Sequence, residues 1–220
     1  MKALNADEMR EVDRLTTERH GIPSLQLMEA AGRHVADIVR QRGAVLRPRR
    51  ITILCGKGNN GGDGLVAARL LRESRLDPFV CLFGKREELR GDAAANLEQW
   101  LKLTNEIVEI TDPSVLERVW SKIAKSHVIV DALLGTGLHG PATGLIGRVI
   151  ERLNQYSRNA TRACPALILA VDTPSGLPSD GQAAEGPVLR AHLTVTFTAP
   201  KIGQLVSADR SEERRVGKEC

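Results

Sequence analysis

The chain has 220 residues, 42% of them hydrophobic, 26% charged and 3% aromatic, and its 31 basic and 27 acidic side chains leave a net charge of +4. This is the size and composition of one ordinary soluble domain with a single buried core. Apolar runs such as Ala166-Leu167-Ile168-Leu169-Ala170-Val171 are far shorter than the roughly 20 residues that cross a bilayer as a helix, which excludes a membrane-spanning protein.

Asn5 is placed to cap a helix that begins at Ala6 and carries Met9, Val12, Asp13 and Thr16 on one face, and Gly21-Ile22-Pro23 stops it. Asp7 and Glu8 stand where a secretory signal is apolar and where a mitochondrial presequence avoids acids, so a cytoplasmic location is expected. Ser24 can cap a second helix with the stripe Leu25, Met28, Val35 and Val39, ending near Gly43. After a basic loop, Ile51 to Cys55 reads as a buried strand, followed by a glycine-rich turn.

The pattern then repeats: helix from about 63 to 75, strand 79–83, helix 92–103, short strand 107–110, helix 113–125, strand 128–131, helix 145–156, strand 167–172 and a last strand over 193–197. Strands alternating with helices of this length predict an α/β fold, a single doubly wound, mainly parallel sheet with helices on both faces in a Rossmann-like three-layer arrangement. Cys55, Cys81, Cys164 and Cys220 show no CxxC or Cys/His clustering, so neither a zinc site nor a disulfide framework is indicated. Scattered charge and the small aromatic content argue against nucleic-acid binding.

The last eleven residues, Arg210 to Cys220, break this rhythm and resemble the translation of a sequencing-library adapter. They are read as foreign sequence in place of the natural continuation, leaving a domain over residues 1–209 that is incomplete at its C-terminus. A charged, disordered tail is the plain alternative.

Ligands of doubly wound sheets sit at the carboxyl ends of the strands, and three loops there are unusual. The first, Gly56 to Gly64, holds five glycines together with Asn59, Asn60 and Asp63, and can cradle an anion on backbone N–H groups at a helix N-terminus. It matches G-x-G-x-x-G, but the ribose-binding acid of a dehydrogenase is missing after the second strand and no Lys-Ser or Lys-Thr makes a P-loop. A flexible polar turn is the alternative. The second loop runs from a strand-terminal Asp131 through Gly135, Thr136, Gly137, Leu138, His139 and Gly140 to Pro141, and the third is Asp172-Thr173-Pro174-Ser175-Gly176. Either aspartate can also serve as a mere turn former. With no thiol or imidazole cluster, this oxygen-rich set suits a hard cation better than zinc.

Together these loops resemble the signature of the NAD(P)H-hydrate epimerase family, the YjeF N-terminal-type domain. The resemblance extends over Met9-Arg10-x-x-Asp13, Gly21-Ile22-Pro23-x-x-x-Leu27-Met28-Glu29-x-Ala31-Gly32 and Thr196-Phe197-x-x-Pro200-Lys201, nearly all of residues 1–201. It implies an isomerase of nicotinamide nucleotide repair that interconverts the R and S forms of hydrated NADH and NADPH, NADHX and NADPHX, with no redox cofactor. It further implies that Asn59, Asn60, Gly61, Gly62 and Asp63, with Gly135 to Pro141, line the dinucleotide site, and that Asp172 contacts the substrate. Asn60, Asp131 and Ser175 would hold a potassium ion. A homodimer and a fused or separate ADP/ATP-dependent dehydratase are the implied partners, and a non-catalytic nucleotide-binding or scaffolding module of the same fold is the alternative.

Two positions depart from the family pattern. Thr173 replaces an aliphatic residue, a change expected to be harmless, and His139 stands where many relatives have Lys or Arg. Asp172 is taken as the acid/base; an aspartate, with an ordinary pKa of about 3.9, acts as an acid near neutrality only with desolvation or a local negative field. Lys57 and His139 are further candidates for proton transfer, each with an exposed loop residue as the alternative. Lys201 is read as reaching a diphosphate or snorkelling at the domain edge, and Asp7, Asp13 and Glu29 as helix-surface or capping acids.

Overall fold

The apolar runs form a parallel sheet because each is buried on both faces, with side chains alternating between two helical layers. The computed structural model describes residues 2–43, 50–138, 140–158, 166–206 and 214–217. In chain order the elements are α1 (Ala6–His20), α2 (Ser24–Gly43), β1 (Ile51–Cys55), α3 (Asn59–Glu73), β2 (Phe79–Leu82), α4 (Gly91–Leu103) and β3 (Val108–Glu109). There follow α5 (Pro113–Ala124), β4 (Val128–Ala132), α6 (Gly144–Arg158), β5 (Leu167–Val171), β6 (Leu193–Thr196), α7 (Ile202–Val206) and β7 (Arg214–Gly217).

The strand order is β3-β2-β1-β4-β5-β6-β7, and every neighbouring pair is parallel. Order reverses between β1 and β4, where a crevice opens at the carboxyl ends of the strands. Ile53, Cys55, Val130 and Leu169 face one layer, built on Val35, Leu65, Leu71, Leu97 and Trp100 of α2, α3 and α4. Leu54, Ile129 and Ile168 face the other, built on Leu116, Ile123, Val149 and Leu153 of α5 and α6. The expected doubly wound three-layer fold is present.

Differences from the sequence reading have local causes. α1 begins where expected, with Asn5 and Glu8 forming a reciprocal capping box, and ends on Gly21 in the left-handed region. Ser24 is the first residue of α2 rather than its cap; the carbonyl of Pro23 takes the N–H groups of Gln26 and Leu27. Leu25, assigned to the buried stripe, is 44% exposed and lines an open groove with Gln26, Glu29 and Arg69. Within the segment set aside as a tail, Arg214–Gly217 pairs with β6 as a parallel edge strand. The open backbone edge of β6 supplies that template irrespective of side-chain pattern.

The largest difference is the start of α3, four residues ahead of the expected Asp63, so the predicted glycine turn is mostly a helical first turn. Glycine costs roughly 1 kcal/mol against alanine inside a helix, so packing must explain its presence there. A Cβ on Gly61 would overlap the carbonyl oxygen of Gly56, and one on Gly62 would lie 2.6 Å from Met28 Sδ and 3.1 Å from Ala93 Cα. These glycines let the helix start press against its own loop and against α2 and α4. Gly61→Ala is therefore expected to reverse its propensity gain and destabilise the fold by about 2 kcal/mol or more, read as a lower urea midpoint. A rise in that midpoint would contradict the packing argument.

Candidate functional site

Three turns at the carboxyl edge of the sheet build the site. β1 passes to α3 through Gly56-Lys57-Gly58, and Gly58 caps the helix in extended conformation without a side-chain acceptor. The N–H groups of the first turn, at Asn59, Asn60 and Gly61, have no intrahelical acceptor and carry the positive end of the helix dipole, an arrangement suited to an anion. Asn59 is exposed. Asn60 is buried; its Nδ2 donates to the Leu134 carbonyl at 2.9 Å, while its Oδ1 has no donor among the described residues.

Asp131, at the end of β4, is fully buried. Its Oδ1 accepts the Ser175 hydroxyl at 2.6 Å and the Leu133 N–H at 3.3 Å, and its Oδ2 accepts the Ser175 N–H at 2.9 Å. Burial outweighs these donors and pushes its pKa up to about 6. Ser175 Oγ in turn accepts the Leu134 N–H at 2.9 Å. The Leu134 peptide is thus held on one side by Ser175 and on the other by Asn60, which brings Asn60, Asp131 and Ser175 into one bonded cluster. Residues from three loops, 44 to 115 positions apart in pairs, meet there.

The loop after β4 continues through Gly135, where a Cβ would lie 3.1 Å from the Asn60 Cβ, and turns back at Thr136 and Gly137 with Leu138 N–H donating to the Gly135 carbonyl at 3.2 Å. Leu138, Gly140 and Pro141 line a cleft of about 310 Å³ with Gly176, Pro178 and Asp180; Asp172 is not in its lining. His139 lies outside the described residues. Lys57 is half exposed and paired with Glu88 at 3.2 Å.

Asp172 follows β5 in the left-handed region, at φ +63°, a conformation aspartate tolerates better than most side chains. Its N–H donates to the Val195 carbonyl at 2.8 Å, and Gln204 Nε2 donates to its carbonyl at 2.6 Å. Its Oδ1 is paired with the Lys201 ammonium, with the Thr196 hydroxyl and the Phe197 N–H each at 3.4 Å. No hydrogen bond among the described residues falls on its Oδ2. Lys201 is fully buried and also donates to Thr196 Oγ1 at 3.1 Å and the Phe197 carbonyl at 3.2 Å. It neither snorkels nor faces outward toward a diphosphate, because an ammonium so enclosed is held by the acceptors around it.

Asp63, partly buried on α3, feels both Asp172 and Asp13. Desolvation, then the charges of Asp172 and Asp13, raise its pKa well above the usual carboxylate range against the opposing pull of Lys201. Asp13, taken as a helix-surface acid, is exposed on α1, yet its own pKa is raised by desolvation and by Asp172. Three carboxyls from α1, α3 and the β5 turn therefore share the field of one buried lysine. Thr173, expected to be harmless, is 1% exposed, and its hydroxyl has no partner among the described residues.

A family model described as YjeF-related protein N-terminus matches residues 24–203. The chain belongs to this family. It is 41% identical over 212 residues to the Bifunctional NAD(P)H-hydrate repair enzyme Nnr of Moorella thermoacetica, covering 96% of this chain and 38% of that protein. To the NAD(P)H-hydrate epimerase of Pirellula staleyi it is 38% identical over 202 residues, covering 92% of this chain and 84% of that one. The crystal structure of yeast YNL200c superposes with a TM-score of 0.77 at 25% identity, over 98% of this chain and 88% of that chain. The chain thus spans well under half of the bifunctional relatives it matches.

In this YjeF-related domain, sequence reasoning found the oxygen cluster but missed the carboxyl–lysine arrangement around Asp172. The signal was present in Pro200-Lys201, a lone lysine directly before α7, but nothing local marks a lysine as buried. The bonded cluster itself is testable. Ser175→Ala leaves Asp131 buried with only backbone donors and is expected to cost about 1–3 kcal/mol, measured by urea unfolding. An unchanged midpoint would mean that the hydroxyl does not support Asp131.

Proposed function

We propose that the chain is an epimerase that interconverts the R and S forms of NADHX and NADPHX in nicotinamide nucleotide repair. The observation that carries the reading is its match along 84% of the length of a relative named NAD(P)H-hydrate epimerase. Asp172, set at the carboxyl edge of the sheet with one carboxylate oxygen anchored and the other unbonded among the described residues, is consistent with it.

The hydrated ring carries a hydroxyl on the carbon next to its nitrogen. The nitrogen lone pair expels that hydroxyl to leave a planar iminium, and water returns to either face. The protein has to supply a proton to the leaving oxygen, accept one from the returning water and stabilise the charge between. Asp172 is the proton carrier in this reading. Its Oδ1 is fixed by Lys201, Thr196 and Phe197, so its Oδ2 is the oxygen available to the ring hydroxyl. The helix start at Asn59 to Gly62 receives the dinucleotide's anionic part, and Gly135 to Pro141 line its path.

Asn60, Asp131 and Ser175 are the residues that would hold a potassium ion. They fit one: Asn60 Oδ1 is a buried acceptor without a donor among the described residues, and the set consists of hard oxygen atoms around a buried carboxyl. When bound, the ion would supply a fixed positive charge that offsets Asp131. An ADP/ATP-dependent dehydratase, fused or separate, completes the repair, in keeping with relatives named bifunctional. The epimerase itself works as a homodimer in the cytoplasm. No helix among the described residues is long and apolar enough to cross a membrane.

Chiral separation of the two epimers tests the assignment. Asp172→Asn is expected to slow their interconversion at least 100-fold while leaving dinucleotide binding within a few-fold; an unaltered rate would remove Asp172 from the chemistry. Exchanging potassium chloride for tetramethylammonium chloride is expected to lower both activity and melting temperature of the wild type. Asn60→Ala should be insensitive to that exchange. A wild type indifferent to the cation would dismiss the potassium assignment.

A further inference from the structure

Lys201 has no solvent exposure, and neither the helix start at Asn59 nor the oxygen cluster at Asp131 uses it. An ammonium has three N–H bonds to give, and in a buried site each one that lacks an acceptor is costly. Here all three are matched. Asp172 Oδ1 takes one, Thr196 Oγ1 the second at 3.1 Å and the Phe197 carbonyl the third at 3.2 Å, which leaves none to reach a bound molecule. The lysine backbone is held as firmly: Leu4 forms a parallel bridge with it, its N–H donates to Gln204 Oε1 at 2.9 Å, and the Gln204 N–H returns to its carbonyl at 3.0 Å.

We propose that Lys201 is the positioning residue of the reaction, acting on the substrate only through Asp172; this rests on the epimerase reading and adds to it a residue that never meets the ring. The terminal torsion of an aspartate is broad and roughly two-fold, so a free carboxyl exchanges its two oxygens and gives neither a fixed direction. Three donors converge on Asp172 Oδ1 and prevent this: the Lys201 ammonium, and the Thr196 hydroxyl and Phe197 N–H at 3.4 Å each. Gln204 Nε2, on the Asp172 carbonyl at 2.6 Å, holds the backbone from the same side. Turning the carboxyl away would deprive a buried ammonium of its one charged acceptor among the described residues, where water does not replace it. Oδ2, which takes no hydrogen bond from the described residues, thus keeps one direction, and the proton is exchanged from a preset position.

The charge of Lys201 matters as well as its position. When Asp172 gives its proton to the ring hydroxyl, the C–O bond breaks with its electron pair on oxygen, water departs, and the nitrogen lone pair forms the C=N bond of the iminium. Asp172 is then a carboxylate whose counter-ion is already in place. When water bonds to the same carbon, the C=N pair returns to nitrogen and the released proton returns to Asp172. Lys201 keeps its three protons throughout. It stabilises the form of Asp172 that accompanies the iminium, and so lowers the barrier between the epimers without touching either of them.

An indirect role of this kind has a signature in a double-mutant cycle on the full chain, read as epimer interconversion by chiral separation. Lys201→Met, similar in length and without charge, is expected to lower kcat by about tenfold or more with KM within about threefold of wild type. In the Asp172→Asn background the same substitution should change the rate by less than about threefold, because the carboxylate through which Lys201 acts is gone; a lysine needed only by the fold, or one that binds the dinucleotide itself, would cost as much there as in the wild type. Circular dichroism and melting temperature check the fold of each variant. If Lys201→Met does not fold, Lys201→Gln is read by the same limits. If that also fails, the double variant Asp172→Asn/Lys201→Met compared with Asp172→Asn decides alone, since removing both charges leaves neither buried and unpaired. The proposal is overturned if the folded Lys201 variant loses less than about tenfold in kcat, if its KM rises more than about threefold, if the substitution costs more than about threefold in the Asp172→Asn background, or if the double variant does not fold. An Asp172→Asn variant as fast as wild type also overturns it, by removing the group through which Lys201 acts. A wild type that interconverts neither substrate overturns the epimerase reading, and this role with it; an active wild type with any of the other adverse results leaves that reading intact and overturns the role of Lys201.

Discussion

A carboxylate with no solvent exposure has to find its hydration inside the protein, and Asp131 does so largely across a loop boundary. Its donors are the hydroxyl and N–H of Ser175, 44 residues downstream, and the N–H of Leu133 beside it. Because an unsatisfied buried carboxyl costs several kcal/mol, the turns after β4 and β5 have little freedom to move apart. The Leu134 peptide extends this tie to α3 through Asn60. Three loops that would otherwise behave as independent surface turns are thereby joined in one rim.

The sheet was legible in the sequence because its strands are short apolar runs bounded by polar turns, and burial on both faces leaves little else for Ile51 to Cys55 or Leu167 to Val171 to become. The oxygen cluster was legible for a related reason: the polar residues immediately after those runs can only lie at the carboxyl edge. Helix starts were less so. Gly61 and Gly62 read as a turn by propensity, and only their contacts with Gly56, Met28 and Ala93 explain why they are helical. Burial of single polar side chains was not legible. Thr173 and Lys201 are polar residues in a polar-looking stretch, yet both have near-zero exposure, and Lys201 is enclosed where Leu4, the start of α7 and Asp172 of the β5 turn meet, a contact among segments far apart in sequence.

The same meeting of segments holds Asp172. Leu4 donates to the Pro200 carbonyl and accepts from the Ile202 N–H, both at 3.0 Å, and Asp180 accepts the Ala6 N–H at 2.7 Å. These bonds seat the N-terminal segment against the start of α7, where Gln204 accepts the Lys201 N–H at 2.9 Å while donating to the Asp172 carbonyl. Residues 201–204 therefore both bond the backbone of Asp172, through Gln204, and deliver the Lys201 ammonium to its carboxylate. A non-glycine residue in that region costs of order 1 kcal/mol or more and persists only where its surroundings over-determine it. Here the restraint comes from the N-terminal segment and from residues 201–204, whereas the three-loop rim is held separately by the Asn60–Leu134–Ser175–Asp131 chain of hydrogen bonds.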